Sequence, residues 1–252
     1  MKKVKLFCIP YSGGSAEIYY SWKKYLAEYV ELHPVELPGR GRRICEKPYD
    51  DLDDLLNDIS SAIAGELSDD DSYSIYGHSL GAILGFETYY RLIEKGCPAP
   101  CHMFFSGRKA PQNMEAKTEY YRLPDKEFLE AVYQYSGNTR EAMKDPELYN
   151  LFMPILRADF KIGETYSYEE KQCKITCDIT IINGKQDKSV QGSDMNEWRL
   201  CSQGDCNIET VLGGHFFILD NRTYVTDIIN NKLNNNQYLK YSSENVINQR
   251  RI

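Results

Sequence analysis

Short apolar runs along the chain alternate with longer segments of helical periodicity. The runs of strand length lie at residues 4–9, 33–37, 73–76, 102–105, 179–182 and 207–212. The segments of helical length lie at residues 18–30, 52–67, 80–93 and 224–233. Over residues 52–67, leucine and isoleucine recur every three or four positions, which is the spacing of an amphipathic helix. This alternation predicts an α/β fold in which a mostly parallel sheet is flanked by helices on both faces.

One long segment departs from the alternation. Residues 110–171 contain no convincing strand, only helical patches at 126–135 and 147–160. An insertion of this size between two strands of a sheet predicts a helical lid. The polar segment 234–252 is expected to be a frayed tail. Because neither an internal repeat nor a second core is evident, residues 1–252 are predicted to form a single domain.

Charge and hydropathy narrow the classes of protein that fit. The formal net charge of −7 argues against a general nucleic-acid binder, which needs a broad basic face. No stretch reaches the roughly 18 apolar residues of a membrane span. The first apolar run is interrupted by Lys5 and ends at Pro10, which is too short for the core of a signal peptide. We therefore expect no nucleic-acid partner, no membrane insertion and a cytoplasmic location.

The eight cysteines are scattered through the sequence. Two C-x3-C spacings occur, but they fall short of the paired knuckles of a zinc site. In a reducing compartment such cysteines are expected to be free thiols. We predict no metal site.

The sharpest chemical signal is the sequence G-H-S-L-G at residues 77–81, a G-x-S-x-G motif. It lies between a predicted strand and a predicted helix, the context of a nucleophile elbow. The two glycines let the backbone turn sharply, and the turn exposes the hydroxyl of Ser79. We predict that Ser79 is a catalytic nucleophile, with an ordinary glycine-rich turn as the alternative.

A serine hydroxyl needs a general base, and the base needs an acid that orients it. Three of the four histidines, His33, His78 and His102, fall in or beside predicted strands and are expected to be packed. The fourth, His215, follows the last strand in a loop that would overhang the carboxyl edge of the sheet. His215 is therefore the predicted base.

The orienting acid must lie between the serine and the histidine in chain order. Asp187 follows the strand predicted at 179–182 and meets this requirement. Asp178 precedes that strand and falls at the wrong edge of the sheet, and Asp194 is a weaker rival expected near the start of a helix. The predicted triad is Ser79, Asp187 and His215.

A tetrahedral intermediate also needs backbone donors for its oxyanion. The amide that follows the nucleophile, that of Leu80, is the first candidate. The second is expected from the glycine-rich turn P-Y-S-G-G-S at residues 10–15, where we choose the amide of Ser12. The same turn could instead cradle a phosphate. It matches neither G-x-G-x-x-G nor a P-loop, so a nucleotide site is not expected.

Several segments together resemble the type II thioesterases, the free-standing α/β-hydrolases that accompany nonribosomal peptide and polyketide synthetases. These segments are P-Y-S-G-G-S at 10–15, E-L-P-G-R at 36–40, G-H-S-L-G at 77–81, Gly184 with Asp187, and G-G-H-F at 213–216. The resemblance spans residues 5–233, and the combination is more specific than any one motif. It implies an α/β-hydrolase fold.

The resemblance implies hydrolysis of acyl, aminoacyl or peptidyl thioesters held on the phosphopantetheine arm of a carrier protein. In such proteins Ser79, Asp187 and His215 would be the triad, and residues 110–171 the lid. The expected partners are acyl or peptidyl carrier protein domains of a synthetase and the small acyl group itself. No cofactor is expected beyond the 4′-phosphopantetheine that the substrate carries. Editing of stalled chains and release of a finished product both fit.

Carrier proteins of this kind are generally acidic, so an acidic enzyme needs a local basic surface to dock them. Arg40, Arg42 and Arg43 follow one predicted strand, and Arg108 and Lys109 follow another. Both segments leave the carboxyl edge of a parallel sheet, where ligands bind. We hypothesise that the five residues form a basic rim for the phosphate of the arm or for an acidic carrier helix. Alternatively, Arg40 is structural and the others are merely solvated.

Other protein classes share part of this pattern. A general carboxylesterase or lipase would prefer oxygen esters and would not depend on a carrier, and an acyltransferase would pass the acyl group to an amine or alcohol. A carrier-binding module without activity fits least well, because the triad is complete in the sequence. The oligomeric state is open, with a monomer as the default.

Overall fold

The computed structural model describes residues 3–113, 119–134 and 139–234. The strands are β1 (Val4–Ile9), β2 (Val30–Pro34), β3 (Ser72–His78), β4 (His102–Ser106), β5 (Asp178–Gly184) and β6 (Cys206–Val211). The α-helices are α1 (Glu17–Tyr20), α2 (Leu52–Glu66), α3 (Leu80–Glu94), α4 (Asp125–Tyr133), α5 (Thr139–Ala142), α6 (Pro146–Thr165), α7 (Gly192–Asn196), α8 (Phe217–Asp220) and α9 (Arg222–Leu233). Short 3-10 turns lie at Ser21–Lys24, Gly41–Arg43, Pro111–Asn113, Tyr120–Arg122 and Glu197–Cys201.

Within the described residues, six strands form one parallel sheet in the order β2-β1-β3-β4-β5-β6. The chain passes from β1 outward to β2, returns to β3 on the other side of β1, and then proceeds in one direction to β6. The strand order therefore reverses between β1 and β3, where loops leave the carboxyl edge in opposite directions and open a crevice. The loops beside this switch point contain the turn at 10–15 and the motif at 77–81. The predicted parallel sheet with flanking helices is confirmed.

Alternate residues of the central strands face opposite sides of the sheet. In β1, Phe7 and Ile9 pack on the side of α2 and α3, whereas Leu6 and Cys8 pack on the side of α1 and α9. Because helices cover both faces, β3, β4 and β5 are buried almost throughout. The carboxyl ends of these strands are thereby held in a rigid frame.

The helix predicted for residues 18–30 is wrong in its length. Helix α1 ends at Tyr20, a 3-10 turn follows, and the chain reverses before β2. Beyond this turn, the side chain of Asn230 in α9 accepts a hydrogen bond from the Ala27 amide and donates one to the Tyr25 carbonyl, both at 2.9 Å. Because these two backbone groups bond to a side chain, they do not make the backbone hydrogen bonds that would extend a helix through residues 25–27.

The second strand lies three residues earlier than the pattern predicts, at Val30–Pro34 instead of 33–37. Within the described sheet it is an edge strand that pairs with β1, so polar side chains are tolerated along it and its apolar signal is weak. The next amide, that of Val35, still donates to the Cys8 carbonyl at 2.9 Å. The chain then leaves the sheet towards Pro38.

The segment between β4 and β5 contains helices α4, α5 and α6 and no strand among its described residues. Helices α4 and α6 correspond to the two predicted helical patches. They carry an apolar cluster of their own, which includes Phe128 and Leu156. This is the segment predicted to be a lid at 110–171. The tail predicted at 234–252 lies outside the described residues except for Asn234.

Three further observations bear on the predicted classes. In the part of the chain that the structure describes, no helix is both long and apolar enough to cross a membrane. The same part contains no cluster of three or more His, Cys, Asp or Glu side chains placed to bind a metal ion. All eight cysteines are free thiols.

Candidate active site

Ser79 lies where β3 ends and α3 begins. Its φ of +55° is the one positive φ of a non-glycine residue among the described residues. The neighbouring glycines make room for the turn: a Cβ on Gly77 would lie 2.0 Å from the Gly81 carbonyl oxygen, and a Cβ on Gly81 would lie 2.2 Å from that of Ile9. The segment therefore has the strained conformation of a nucleophile elbow, which presents the serine hydroxyl at the carboxyl edge of the sheet.

The structure brings together the three residues predicted as a triad. His215 Nε2 lies 3.0 Å from the Ser79 hydroxyl oxygen, and His215 Nδ1 lies 2.8 Å from Asp187 Oδ2. The three residues come from the loops after β3, β5 and β6, which all leave the same edge of the sheet. When Nδ1–H donates to the carboxylate, Nε2 becomes an acceptor for the serine proton.

The carboxylate of Asp187 is buried, with 1% of its side chain exposed. Its Oδ1 accepts hydrogen bonds from the Ser189 amide at 2.9 Å and from the Ser189 hydroxyl at 2.6 Å, while Oδ2 faces His215. Burial raises the pKa of this carboxyl, but the hydrogen bond and charge of His215 and the bonds from Ser189 outweigh it, so the pKa is lowered. Asp187 is thus held in the charged form.

The glycine-rich turn after β1 approaches the same crevice. Its Gly13 amide donates to Asp159 Oδ2 at 2.7 Å, and its Gly14 amide donates to the Tyr11 carbonyl at 2.8 Å. These two amides are bonded inside the protein and do not serve a ligand. Ser12, whose amide is the second predicted oxyanion donor, lies between Tyr11 and these two glycines. The other predicted donor belongs to Leu80, the first residue of α3.

The other three histidines are packed into the fold, and the histidine that contacts the Ser79 hydroxyl is His215. His78 is fully buried beside His215, with ring centroids 5.3 Å apart, and burial lowers its pKa well below the usual value. His102 is buried at the start of β4, where burial lowers its pKa to about 4. Both are packed as predicted. His33 is only partly buried in the edge strand, and its Nδ1 lies 2.6 Å from Glu66.

The rival acids have partners away from His215. Asp178 begins β5, at the amino edge of the sheet, and accepts a hydrogen bond from the Asp205 amide at 2.8 Å. Asp194 lies in α7, where it accepts from the Gln191 amide at 2.7 Å as part of a capping box. The carboxylate that contacts His215 is that of Asp187.

Three of the five residues predicted to form a basic rim form ion pairs with acids, and two of these, Arg40 and Arg43, are mostly shielded from solvent. The side chain of Arg40 is 5% exposed and donates to both carboxylate oxygens of Asp159 in α6, at 2.7 and 2.9 Å. Arg43 bonds to Asp58 and to Glu46. The assignment of Arg40 to a surface rim is therefore corrected, because its guanidinium neutralises a buried carboxylate that would otherwise be costly.

The other three rim residues reach the surface to different extents. Arg42 is exposed and lines a cleft between β2 and α2. Arg108 is partly buried and donates to the Gly163 carbonyl at 3.4 Å. Lys109 is 38% exposed and lies 3.5 Å from Asp194. Arg42 and Lys109 are thus the rim residues with the most accessible charge.

Sequence reasoning misses two residues at this site. Ser189 carries no signal, because a serine two residues after an acid has no distinguishing pattern. Asp159 does carry one: it falls between Ile155 and Ile162 on the buried face of the amphipathic helix α6. A charged residue on such a face needs a partner, and Arg40 is the partner that the structure supplies.

The chain matches known proteins over nearly all of its described length. Residues 4–233 match the family described as thioesterase domain. The gramicidin S biosynthesis protein GrsT of Aneurinibacillus migulanus is 32% identical over 220 residues, which cover 87% of this chain and 85% of the relative.

Solved structures show the same similarity in three dimensions. ClbQ from the colibactin NRPS/PKS pathway superposes with a TM-score of 0.89 and 28% identity, covering 94% of this chain and 100% of ClbQ. The type II thioesterase BorB from the borrelidin biosynthetic cluster superposes with a TM-score of 0.82 and 29% identity, covering 92% and 93% of the two chains. The predicted α/β-hydrolase fold is confirmed.

Proposed function

Because this chain belongs to the thioesterase domain family, we propose that it hydrolyses acyl, aminoacyl or peptidyl thioesters held on the phosphopantetheine arm of a carrier protein. The family makes the chain a thioesterase, and hence a hydrolase. The observation that carries the proposal is the 3.0 Å contact between His215 Nε2 and the Ser79 hydroxyl, with Asp187 on the other ring nitrogen. This arrangement suits a nucleophile, its base and an orienting acid.

In the proposed reaction, the Ser79 oxygen attacks the thioester carbonyl while His215 Nε2 takes the hydroxyl proton. The C–S bond breaks, the pantetheine thiol leaves with a proton from the imidazolium, and an acyl ester remains on Ser79. Water then attacks this ester with His215 as base, and the free acid departs as Ser79 regains its proton. Because a thiolate is a good leaving group, acid assistance matters less here than for an amide.

The developing oxyanion would be stabilised by the amides of Leu80 and Ser12. Each such donor contributes a factor of about 10²–10³ to kcat in related chemistry. Asp187 would fix the His215 tautomer and stabilise the imidazolium. The scheme requires only these side chains, two amides and water, so the proposal includes no cofactor of the protein.

The proposed partners follow from what the relatives are named for. BorB is named a type II thioesterase, ClbQ is named for an NRPS/PKS pathway, and GrsT is named for gramicidin S biosynthesis. By similarity, we assign this chain to nonribosomal peptide or polyketide biosynthesis, with acyl or peptidyl carrier domains as partners and either editing or release as its task. The eight free thiols suit a reducing cytoplasm, and a monomer would suffice for the site.

The experiment presents one short acyl group in three forms: on a carrier protein, as an N-acetylcysteamine thioester and as a p-nitrophenyl ester. We expect kcat/KM to be highest for the carrier-bound form. Ser79→Ala should lower kcat by more than about 10³-fold, because the nucleophile is lost. Ser61→Ala, at an exposed serine of α2, is the matched control and should behave as the wild type.

Each other outcome points to a different class. Preference for the oxygen ester would indicate a carboxylesterase or lipase, and transfer of the acyl group to an added amine or alcohol would indicate an acyltransferase. Undiminished hydrolysis by Ser79→Ala would remove Ser79 as the nucleophile.

A further inference from the structure

The direction of the Ser12 amide is set by the turn in which it lies. Residues 11–14 form a tight turn in which the Gly14 amide donates to the Tyr11 carbonyl at 2.8 Å and Gly13 adopts a φ of +77°. The Tyr11 carbonyl and the Ser12 amide belong to one trans peptide unit, so they point in opposite directions. Because the carbonyl points into the turn, the Ser12 N–H points out of it.

This turn is held from outside by a buried ion pair. Asp159 Oδ2 accepts the Gly13 amide proton at 2.7 Å, and Arg40 Nη1 donates to the Gly14 carbonyl at 3.1 Å. Arg40 and Asp159 also bond to each other through two hydrogen bonds, at 2.7 and 2.9 Å, with side chains 5% and 1% exposed. The Gly13 amide and the Gly14 carbonyl, one donor and one acceptor that do not bond within the turn, are therefore fixed by charged side chains shielded from solvent.

The acid of this pair comes from the segment between β4 and β5. On α6, Leu156, Asp159 and Gly163 follow each other at spacings of three and four and so share one face. A Cβ on Gly13 would lie 2.7 Å from Leu156 Cδ2, and a Cβ on Gly163 would lie 3.6 Å from Leu80 Cδ1. One face of α6 thus packs against both segments that carry the proposed oxyanion donors.

We infer that Asp159 is a positioning residue: paired with Arg40, it aims the Ser12 amide, so the oxyanion hole is complete only when α6 is seated on the turn. The inference rests on the proposed function, since it assigns the Ser12 amide a role in that chemistry. Moving α6 away would carry Asp159 with it and leave the Arg40 guanidinium without its carboxylate, which is strongly unfavourable. The Arg40–Asp159 pair therefore keeps the Ser12 amide oriented in the free enzyme, before substrate binds.

The test compares Asp159→Asn and Asp159→Ala with Glu87→Gln. Glu87 is a matched control because it is also buried and also ties the core to the end of the inserted segment, through Tyr166 and Lys171 at 2.7 Å each. It has no bond to the turn. In Asp159→Asn, one oxygen acceptor is replaced by an amide nitrogen, which cannot accept a hydrogen bond, so only part of the bonding to Gly13 and Arg40 is kept. In Asp159→Ala, all of this bonding is lost.

Three readouts separate positioning from a general loss of structure. They are kcat and KM for the N-acetylcysteamine thioester, the rate at which a fluorophosphonate labels Ser79, and the inhibition constant of an alkyl boronic acid, whose tetrahedral adduct places an oxygen in the hole. We expect the Asp159 variants to lose about 10- to 100-fold in kcat and in labelling rate, with Ala below Asn and KM within about threefold. Boronic acid binding should weaken in proportion to kcat/KM, whereas Glu87→Gln should stay within about twofold of the wild type.

Folded Asp159 variants that lose no more kcat than Glu87→Gln, or that change KM alone, would overturn the inference. If Asp159→Ala does not fold, Asp159→Asn and Arg40→Lys decide the matter by the same readouts. Labelling requires the serine, its base and the hole but no thioester. A wild type that is labelled but hydrolyses no thioester would therefore refute the proposed substrate class, while the inference would still be judged by labelling.

Discussion

At the scale of single residues, the Asp187 carboxylate is oriented from both sides. Two donors of Ser189 hold Oδ1, and His215 holds Oδ2. In Asp187→Asn, the Ser189 donors would retain the amide oxygen and turn the amide nitrogen towards His215 Nδ1. The imidazole would then carry its proton on Nε2 and could not accept that of Ser79. We expect kcat to fall by about 10⁴-fold, as measured with a thioester substrate under single-turnover conditions.

Asp194→Asn provides the control for that prediction, since Asp194 is the rival acid in the sequence. It caps α7 and lies near Lys109, so its loss should change kcat by less than about twofold. A large loss in Asp194→Asn together with a small loss in Asp187→Asn would exchange the roles assigned to the two acids.

The three residues of the proposed triad could be picked out of the sequence because their signal lies in chain order. Ser79, Asp187 and His215 each follow a strand, and parallel strands place their carboxyl ends at one edge. Asp159 and Ser189 act through contacts with segments that the sequence does not bring near them, so pattern alone could not assign them. For Arg40 the sequence left a surface and a structural role open, and its buried pairing with Asp159 selects the structural one.

At the scale of elements, the junction of β1, β3 and α3 leaves no room for a side chain at Gly81. A Cβ there would lie 2.2 Å from the Ile9 carbonyl oxygen and 2.7 Å from that of Pro10, and backbone atoms cannot move aside as a flexible side chain can. We expect Gly81→Ala to lower the free energy of unfolding by more than about 3 kcal/mol. Urea denaturation followed by circular dichroism would measure the change.

Gly65→Ala is the same substitution with the opposite expected sign. Gly65 lies near the end of α2, and a Cβ there would meet nothing within 4 Å. Alanine should raise the free energy of unfolding by about 0.5–1 kcal/mol through its helix propensity, without changing kcat. Equal stabilities for the Gly65→Ala and Gly81→Ala variants would mean that the tight packing at the elbow does not limit stability.

The central elements could be predicted from pattern because they are buried on both faces and bounded by clear turns. The errors lie at the edge of the sheet. The helix predicted for residues 18–30 is cut short, and beyond Lys24 the side chain of Asn230, some two hundred positions away, binds the Tyr25 carbonyl and the Ala27 amide. Strand β2 is displaced because an edge strand needs no continuous apolar run. In both places, tertiary contacts override the local signal.

At the scale of the whole molecule, the fold separates the crevice to which we assign the chemistry from the opposite edge of the sheet. The carboxyl edge gathers the residues of the proposed triad, the glycine-rich turn, the exposed Arg42 and the partly exposed Lys109. Helices α3 and α9 end at the opposite, amino edge, where Lys95 and Lys232 lie. The molecule therefore offers cations at both ends, although its net charge is −7.

If an acidic carrier docks at the carboxyl edge, only the cations at that edge should matter. We expect the double variant Arg42→Glu, Lys109→Glu to raise KM for an acylated carrier by about tenfold at low salt, while KM for the N-acetylcysteamine thioester stays unchanged. Raising the salt concentration should weaken carrier binding to the wild type and narrow this difference. The double variant Lys95→Glu, Lys232→Glu changes the net charge by the same amount but at the amino edge. Comparing the two double variants therefore separates the effect of where the charges lie from the effect of the total charge. If both double variants raise KM for the carrier alike, docking responds to net charge and the basic residues of the carboxyl edge have no special role.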